Sequence, residues 1–186
     1  MNMLIRLFEQ YGYISAQCKE VIEQNIQTVH LKKGTVIQKR GQSPMALYAI
    51  EKGAVRGFYT KEVRTIDTWY AFDHTILPAT YQMYKSSVAN ENIQCMEDCL
   101  VHCISNSVML RLFREYPELN LICRRLVEEY ALDLQQRAYQ LQTMSVEQRY
   151  YSLLKDLGDH FTRVSSANMA SYLGITEQVL SHIRRI

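Results

Sequence analysis

The chain has 186 residues, of which 47% are hydrophobic and 22% are charged, and its formal net charge is +2 at neutral pH. This composition excludes a disordered chain and leaves enough apolar material for one large domain or two small ones. A net charge of +2 is too small to indicate nucleic-acid binding through the overall field, so any basic surface has to be local.

The amino-terminal sequence and the cysteines predict a cytoplasmic protein. No stretch approaches the roughly 18 consecutive apolar residues of a membrane span. The opening MNMLIRLFEQYG lacks the basic region and cleavage site of a secretion signal. Five cysteines, an odd number, favour reduced thiols over a disulfide framework. We therefore expect no membrane association and no disulfides.

The first predicted elements are a short helix and a β module. Ser15 can cap a helix over residues 15–29, in which apolar side chains follow helical spacing. From residue 31 to about 105, short β-branched and aromatic runs are separated by glycine and proline, which is typical of a sandwich or barrel. Within this module NIQCMEDCLVHCIS predicts a strand pair around a turn at MED, after which SVMLRLFREY returns to helical spacing.

Pro117 is well suited to the first turn of a long predicted helix that extends to residue 143. Its apolar residues recur every three or four positions on a surface that is otherwise charged or rich in glutamine. A small β module is unlikely to cover so long a stripe, which predicts a homodimer through residues 117–143. The predicted dimer seam consists of Ile122, Leu126, Tyr130, Leu134, Ala138 and Leu141.

Residues 144–186 predict a compact helical unit. Ser145 and Gln148 match a capping box, so a helix is expected to start there and to end near Gly158. The segment HFTRVS that follows is a candidate for the wing of a winged helix unit, and the alternative is that the wing lies beyond the sequence.

The closing stretch ANMASYLGITEQVLSHIRRI predicts a helix-turn-helix, although a purely structural helix pair has the same periodicity. Gly174 can take a positive φ in the turn and Thr176 can cap the second helix. In such a unit the start of the second helix faces base edges, while nearby polar and cationic groups hold phosphates. The candidate DNA-binding residues are Ser165, Ser166, Thr176, Glu177, Gln178, Ser181, His182, Arg184 and Arg185.

Within this stretch MASYLGITEQVLSHIRR resembles IAxxLGITxExLSRIRR, the signature of the cyclic-AMP receptor (Crp/Fnr) family of bacterial transcription regulators. Upstream, LKKGTVIQKRGQSPMALYAIEKGAVRGFY resembles the opening strands of that family's β-roll. The resemblance implies an α+β fold with a cyclic-nucleotide-binding-like β-roll or jelly roll (1–116), a dimerisation helix (117–143) and a winged helix-turn-helix (144–186). It also implies a homodimer that binds double-stranded DNA to regulate transcription, with RNA polymerase a candidate partner.

The chain departs from the family pattern in its predicted reading helix. His182 stands where the signature has arginine, and histidine is shorter and only partly charged near neutral pH. Together with Glu177 and Gln178 it predicts a half-site different from the family consensus. The alternative hypothesis is a ligand-binding or partner-binding sensor whose helix-turn-helix does not read DNA, which Glu177 and the missing arginine support.

The second departure concerns the effector region, AFDHTILPATYQMYKSSVANENIQCMED. It lacks the Gly-Glu pair and the arginine that family members use for ribose and cyclic phosphate, so we do not expect cyclic AMP to bind. An unidentified small molecule and ligand-free regulation both stay open, because aromatic side chains in a β-roll are more often core. The candidate pocket residues are Phe72, Asp73, Tyr81, Tyr84, Lys85, Asn92 and Tyr130.

Cys95, Cys99, His102 and Cys103 raise the question of a metal site. In a strand Cys99 and Cys103 share one face while His102 points to the other, and Cys95 lies across a turn. We therefore expect buried, inert thiols and neither a metal nor another cofactor. The sequence also lacks the nucleophile-elbow, phosphate-loop and zinc-protease motifs, so no catalysis is expected.

Overall fold

The structure, a computed structural model, describes residues 2–62, 64–77 and 88–185, with two short helices and then eight strands up to residue 105 and helices from residue 106 onwards. The strands are β1 (Gln27–Leu31), β2 (Val36–Gln38), β3 (Ala46–Lys52), β4 (Val55–Lys61), β5 (Arg64–Ala71), β6 (Thr75–Ile76), β7 (Asn92–Cys95) and β8 (Cys99–Ser105). The helices are α1 (Met3–Glu9), α2 (Ala16–Asn25), α3 (Asn106–Glu115), α4 (Pro117–Thr143), α5 (Val146–Leu157), α6 (Ser166–Leu173) and α7 (Glu177–Ile183), with a 3-10 helix at Gly158–Arg163. None of these helices combines the length and apolar character needed to cross a bilayer.

The strands form two antiparallel four-stranded sheets, ordered β1-β8-β3-β6 and β2-β7-β4-β5. Buried side chains from both sheets, including Ile50, Val55, Ile93 and Val101, pack into one cluster. The α+β fold with an amino-terminal β-roll is thereby confirmed. The turn predicted at MED joins β7 to β8, but these strands belong to different sheets instead of pairing with each other.

Helices α1 to α3 and the start of α4 cover the sheet that contains β1 and β8. The Ser15 side chain caps α2 as predicted, by accepting from the backbone N of Cys18. The predicted extension of this helix to residue 29 is wrong, because Gln27–Leu31 pairs with Cys99–Cys103 as an edge strand. Helix α1, which the sequence analysis did not predict, is capped by the side chain of Asn2.

Helix α4 begins at Pro117 and ends at Thr143, as predicted. Its amino-terminal half is buried in its own protomer, since Ile122 is 0% exposed and Leu126 is 7% exposed within the cluster beneath the helices. The assignment of these two side chains to a dimer seam is therefore wrong. A face already covered by the same chain cannot bind a second copy.

The carboxy-terminal helices α5 to α7 pack around a separate apolar cluster. The Ser145 and Gln148 capping box is present, and Gly158 follows the last residue of α5. The placement of a wing in HFTRVS is wrong, because Gly158–Arg163 is a 3-10 helix. Over residues 106–185, all of which the structure describes, there is no β-strand.

Candidate nucleic-acid interface and ligand cavity

Helices α6 and α7 form the predicted helix-turn-helix. Ser165 caps α6, Gly174 has φ +72° in the turn, and the Thr176 hydroxyl caps α7 by accepting from the backbone N of Val179. The inner side of α7 packs through Leu180 and Ile183. This leaves the outer side exposed to solvent. The predicted site residues on that outer side are Glu177, Gln178, Ser181, His182 and Arg185.

A surface groove of about 380 Å³ lies between the start of α6 and the outer side of α7. Its lining brings together five of the predicted DNA-binding residues, namely Ser166, Glu177, Gln178, Ser181 and Arg184. The two arginines at the end of α7 differ in their contacts. The Arg184 guanidinium donates to Ser166 Oγ at 2.8 Å and to Met169 Sδ at 3.2 Å. The Arg185 side chain, in contrast, has no hydrogen bond or ion pair within the described residues. Arg184 therefore connects the two helices, and Arg185 is available to an external partner.

The first helix of this unit is docked on strand β5 of the roll. The Asp67 side chain, which is 0% exposed, accepts from Arg56 Nη1 at 2.8 Å and from Asn168 Nδ2 at 2.6 Å. Its backbone N donates to Ser171 Oγ at 2.9 Å. Burial raises the pKa of Asp67, and the bonds from Asn168 and Arg56 oppose that rise. Asp67 and Asn168 are 101 positions apart, and neither was predicted from the sequence as a site residue.

A second contact joins the roll to the 3-10 helix. Arg163 donates to Asp73 Oδ2 and to Glu97 Oε1, both at 2.5 Å. Beside them the Phe72 ring stacks on His160 with 4.3 Å between ring centroids. Phe72 and Asp73, predicted to line an effector pocket, are used here to attach the helical unit to the roll. Hydrogen bonds from Arg163 lower the pKa of Asp73 from 3.8 to about 2.

Asp73→Asn is expected to lower the free energy of unfolding by about 1 kcal/mol at pH 7, because the pair is partly exposed and screened by solvent. The folded pKa lies below the unfolded one, so this contribution is complete above pH 4 or so and is lost as the pH falls towards about 2. Urea denaturation of both proteins at several pH values measures it. Asp159→Asn is the control, since that exposed carboxylate has no partner within the described residues. A difference between Asp73→Asn and the parent that stays constant with pH would contradict the ion pair.

A cavity of about 710 Å³ lies between β5, α4, α1 and α6. Of the predicted pocket residues, Tyr130 lines it. Asn92 is not part of its lining and instead accepts from the backbone N of Arg40 at 3.0 Å. The predicted pocket residues Tyr81, Tyr84 and Lys85 lie outside the described residues. The cavity is therefore built mostly from residues that the sequence analysis did not identify.

Apolar side chains line part of this cavity, among them Ile66, Ile76 and Leu126, together with Leu134 and Leu141 of α4, and three further groups of residues complete the lining. The aromatic group includes Tyr11, Tyr59, Trp69 and Tyr130, and the acidic group consists of Asp67, Glu91, Glu129 and Asp133. The third group, Ser171, Tyr172, Leu173 and Gly174, comes from the helix-turn-helix. Arg137 of α4 connects to that group, since its guanidinium lies 3.7 Å from the centroid of the Tyr172 ring. One wall of the cavity is thus part of the unit that carries α7.

The cysteines do not converge on a metal site. The hydrogen bond to Cys99, together with burial, raises the pKa of the Cys95 thiol. Both of these side chains are buried, as expected, whereas Cys103 is only half-buried. His102 lies between Thr28, whose Oγ1 is 3.0 Å from Nδ1, and the Glu51 carboxylate. No group of three or more potential ligands is close enough to hold a metal within residues 2–62, 64–77 and 88–185.

No family model matches this chain, and no curated protein matches it by sequence. Solved structures do match. A transcriptional regulator of the Crp/Fnr family from Eubacterium rectale ATCC 33656 superimposes with a TM-score of 0.77 and 19% identity, over 92% of this chain and 82% of the other. The c-di-GMP responsive global regulator CLP of Xanthomonas campestris gives a TM-score of 0.76 and 16% identity, over 92% and 90% of the two chains.

FixK2 from Bradyrhizobium japonicum is a third match, with a TM-score of 0.72 and 14% identity, over 86% of this chain and 83% of the other. Identities this low show a shared fold. The order of β-roll, long helix and helix-turn-helix in this chain is therefore the fold of Crp/Fnr-type regulators.

Proposed function

We propose that the protein is a homodimeric transcription regulator of the Crp/Fnr type that binds specific DNA sequences through α7. The observation that carries the proposal is the outer side of α7, which is exposed and mostly polar and whose side chains form no hydrogen bond or ion pair with the described part of the roll. The inner side is fixed by Leu180 and Ile183, so the helix presents its outer side on a rigid base. The fold shared with solved transcription regulators supports the same proposal.

The exposed side chains of α7 suit different parts of a DNA duplex. Gln178 can bond adenine in a bidentate manner, and Ser181 and His182 lie three and four positions further along the same face. Arg185 is suited to a phosphate, because its guanidinium is exposed and unpaired within the described residues. Arg184 is assigned a structural role between α6 and α7.

The dimer proposed here forms along α4. An apolar series with alternating spacings of four and three is exposed on this helix, which is the pattern of a two-stranded coiled coil. The series consists of Val127, Ala131, Leu134, Ala138 and Leu141, and we call it the α4 seam. It keeps Leu134, Ala138 and Leu141 of the sequence-based prediction and adds Val127 and Ala131. The other three predicted residues are not part of it, because Ile122 and Leu126 are buried in their own protomer and the partly buried Tyr130 lines the cavity beside α4. Its large members are well exposed, with Leu134 at 51% and Leu141 at 50%.

Gln178→Ala is expected to relax base preference at one position of each half-site by about 1–3 kcal/mol. Arg185→Ala is expected to weaken binding to all sequences similarly and to reduce the salt dependence of binding by about one phosphate contact. Gel-shift titrations at several salt concentrations measure both effects. Arg6→Ala, which removes the same charge from an exposed position on α1, is the control and is expected to leave binding unchanged.

Equal losses for Arg6→Ala and Arg185→Ala would contradict the assignment of α7 as the reading helix. Binding by the parent protein that is insensitive to salt would contradict phosphate contacts. A folded dimer with no affinity for any duplex would support the alternative, a sensor whose helix-turn-helix does not bind DNA.

A further inference from the structure

The cavity beside α4 has an unusual balance of charge for a site that would bind a nucleotide. Within the described residues its lining includes the carboxylates Asp67, Glu91, Glu129 and Asp133. The basic side chains of the lining are limited there to Arg137 and His74. A phosphate placed in this cavity would meet carboxylates at close range, which costs free energy in a partly desolvated site.

Within the described residues, three of these carboxylates form no ion pair. Asp67 is paired with Arg56, whereas the partners of Glu91 there are the neutral groups Thr68 Oγ1, at 2.7 Å, and Trp69 Nε1, at 2.8 Å. Glu129 accepts from the Tyr11 hydroxyl at 2.5 Å. For Asp133 the described residues supply no hydrogen bond or ion pair, and burial, Glu129 and Asp156 raise its pKa. None of the three is in an ion pair with a described residue.

Aromatic rings surround the same space. The rings of Tyr59, Trp69 and Tyr130 line the cavity alongside the carboxylates. Aromatic faces attract organic cations through their quadrupole, most strongly where water is excluded. They also supply apolar area for the body of a ligand. The volume of about 710 Å³ is within the usual range for small-molecule sites.

We propose that this cavity binds a small organic cation, an amine or quaternary ammonium compound with an apolar body, and disfavours anionic ligands. The cationic group lies among Glu91, Glu129 and Asp133, and the body packs against Trp69 and Tyr130.

The position of the cavity connects this ligand to the helix-turn-helix. Tyr172 and Gly174 line it from α6 and from the turn before α7, and Ser171 both lines it and bonds to the backbone N of Asp67. If α6 can leave its position on β5, the protein has a docked and an undocked arrangement. A ligand that contacts Tyr172 and Gly174 only in the docked arrangement binds that arrangement more tightly, so ligand binding shifts the equilibrium between the two. This last step rests on the proposed DNA-binding function, whereas ligand binding itself does not.

The single tryptophan of the chain, Trp69, lines the cavity and reports on its occupancy by fluorescence. The probe is benzyltrimethylammonium, with its uncharged carbon isostere neopentylbenzene and the anion benzylphosphonate as matched comparisons. We expect a saturable change with the cation, at least about 10-fold weaker binding of the isostere, and no saturation with the anion. Equal affinity for cation and isostere, or binding of the anion, would overturn the proposal.

Glu91→Gln and Asp133→Asn are each expected to weaken binding of the cation several-fold, because each removes one charge and keeps the shape of the side chain. Asp98→Asn is the matched control, since that carboxylate is paired with Lys32 on the surface and does not line the cavity. Circular dichroism verifies that every variant is folded. If the folded parent gives no saturable fluorescence change with the cation, the proposal is wrong.

The same titration repeated in the presence of operator DNA separates the two proposals. Cation binding by a protein that has no affinity for DNA would leave the ligand assignment intact and contradict the proposed function. DNA binding without cation binding would do the reverse. Cation binding that leaves DNA affinity unchanged would contradict only the coupling through α6.

Discussion

Leu134→Asp is expected to convert the proposed homodimer into folded monomers. The side chain lies at the centre of the α4 seam, where two copies of the helix would bury it against each other. A carboxylate enclosed in that apolar interface without a partner costs about 4 kcal/mol, which raises the dimer dissociation constant roughly a thousandfold. Sedimentation velocity measures the change directly. Affinity for a two-fold symmetric DNA site is expected to fall with it, since in the proposed complex each monomer would contact one half-site.

The same helix supplies two matched comparisons. Leu132 is more exposed than Leu134, at 64%, but lies on the side of α4 away from the seam, so Leu132→Asp is expected to leave the dimer intact. Leu126 is 7% exposed within its own protomer, so Leu126→Asp is expected to unfold the chain. Dimers that persist in Leu134→Asp, or dissociate equally in Leu132→Asp, would contradict the seam.

Gly53→Ala is expected to destabilise the β-roll by about 3 kcal/mol or more. Gly53 lies between β3 and β4 with φ +124°, a backbone conformation that residues with a Cβ rarely adopt. An added Cβ would also lie 2.5 Å from Cys99 Sγ and 2.9 Å from Cys99 Cα, so the backbone of β8 would have to move. Urea denaturation followed by circular dichroism gives the loss in free energy of unfolding.

Gly41→Ala separates the two causes of that loss. Gly41 has φ +84°, and a Cβ added there meets no atom within 4 Å. The cost at this position is therefore conformational and is expected to be about 1 kcal/mol. If the two alanine variants lose equal stability, the close approach of Gly53 to β8 does not contribute. If both are as stable as the parent, the positive φ values are incorrect.

Helix ends could be predicted from the sequence because the chemistry that determines them is local. The side chains of Ser15, Ser145 and Thr176 each accept a hydrogen bond from a backbone N within three positions. Gly174, which follows the last residue of α6, has a left-handed backbone conformation. Such interactions depend on a few neighbouring residues, which the sequence shows directly. The order of β-roll, long helix and helix-turn-helix followed from the same signals and from the resemblance.

Burial by distant parts of the chain could not be predicted in this way. Helical periodicity showed that Ile122 and Leu134 are spaced for apolar contacts, but both satisfy that pattern equally. Only the cluster that Ile122 forms with side chains of α1, α2, α3 and β8 shows that it is covered by its own chain. The strands β7 and β8 present the same difficulty, since alternation predicts a strand without indicating which sheet it joins.

The candidate ligand cavity was the least predictable feature. Trp69, Glu91 and Asp133 come from three separate parts of the chain, and none of them belongs to a local motif. Phe72 and Asp73 form a conspicuous aromatic-acidic pair, yet they contact the 3-10 helix, because Arg163 supplies the counter-charge of Asp73 and the Phe72 ring stacks on His160. A long-range ion pair of this kind has no signature in spacing or composition.

Selection of binding sites from a pool of random duplexes, with the full-length protein at moderate salt, tests the central proposal most directly. A dimer that reads DNA with α7 is expected to enrich an inverted repeat whose half-sites are centred roughly 34 Å apart, about one turn of the duplex, or a multiple of it. Gln178→Ala is expected to lose preference at one position of each half-site while the spacing is kept. Recovery of no motif, or of a motif that is identical for Gln178→Ala and the parent protein, would contradict sequence-specific reading by α7.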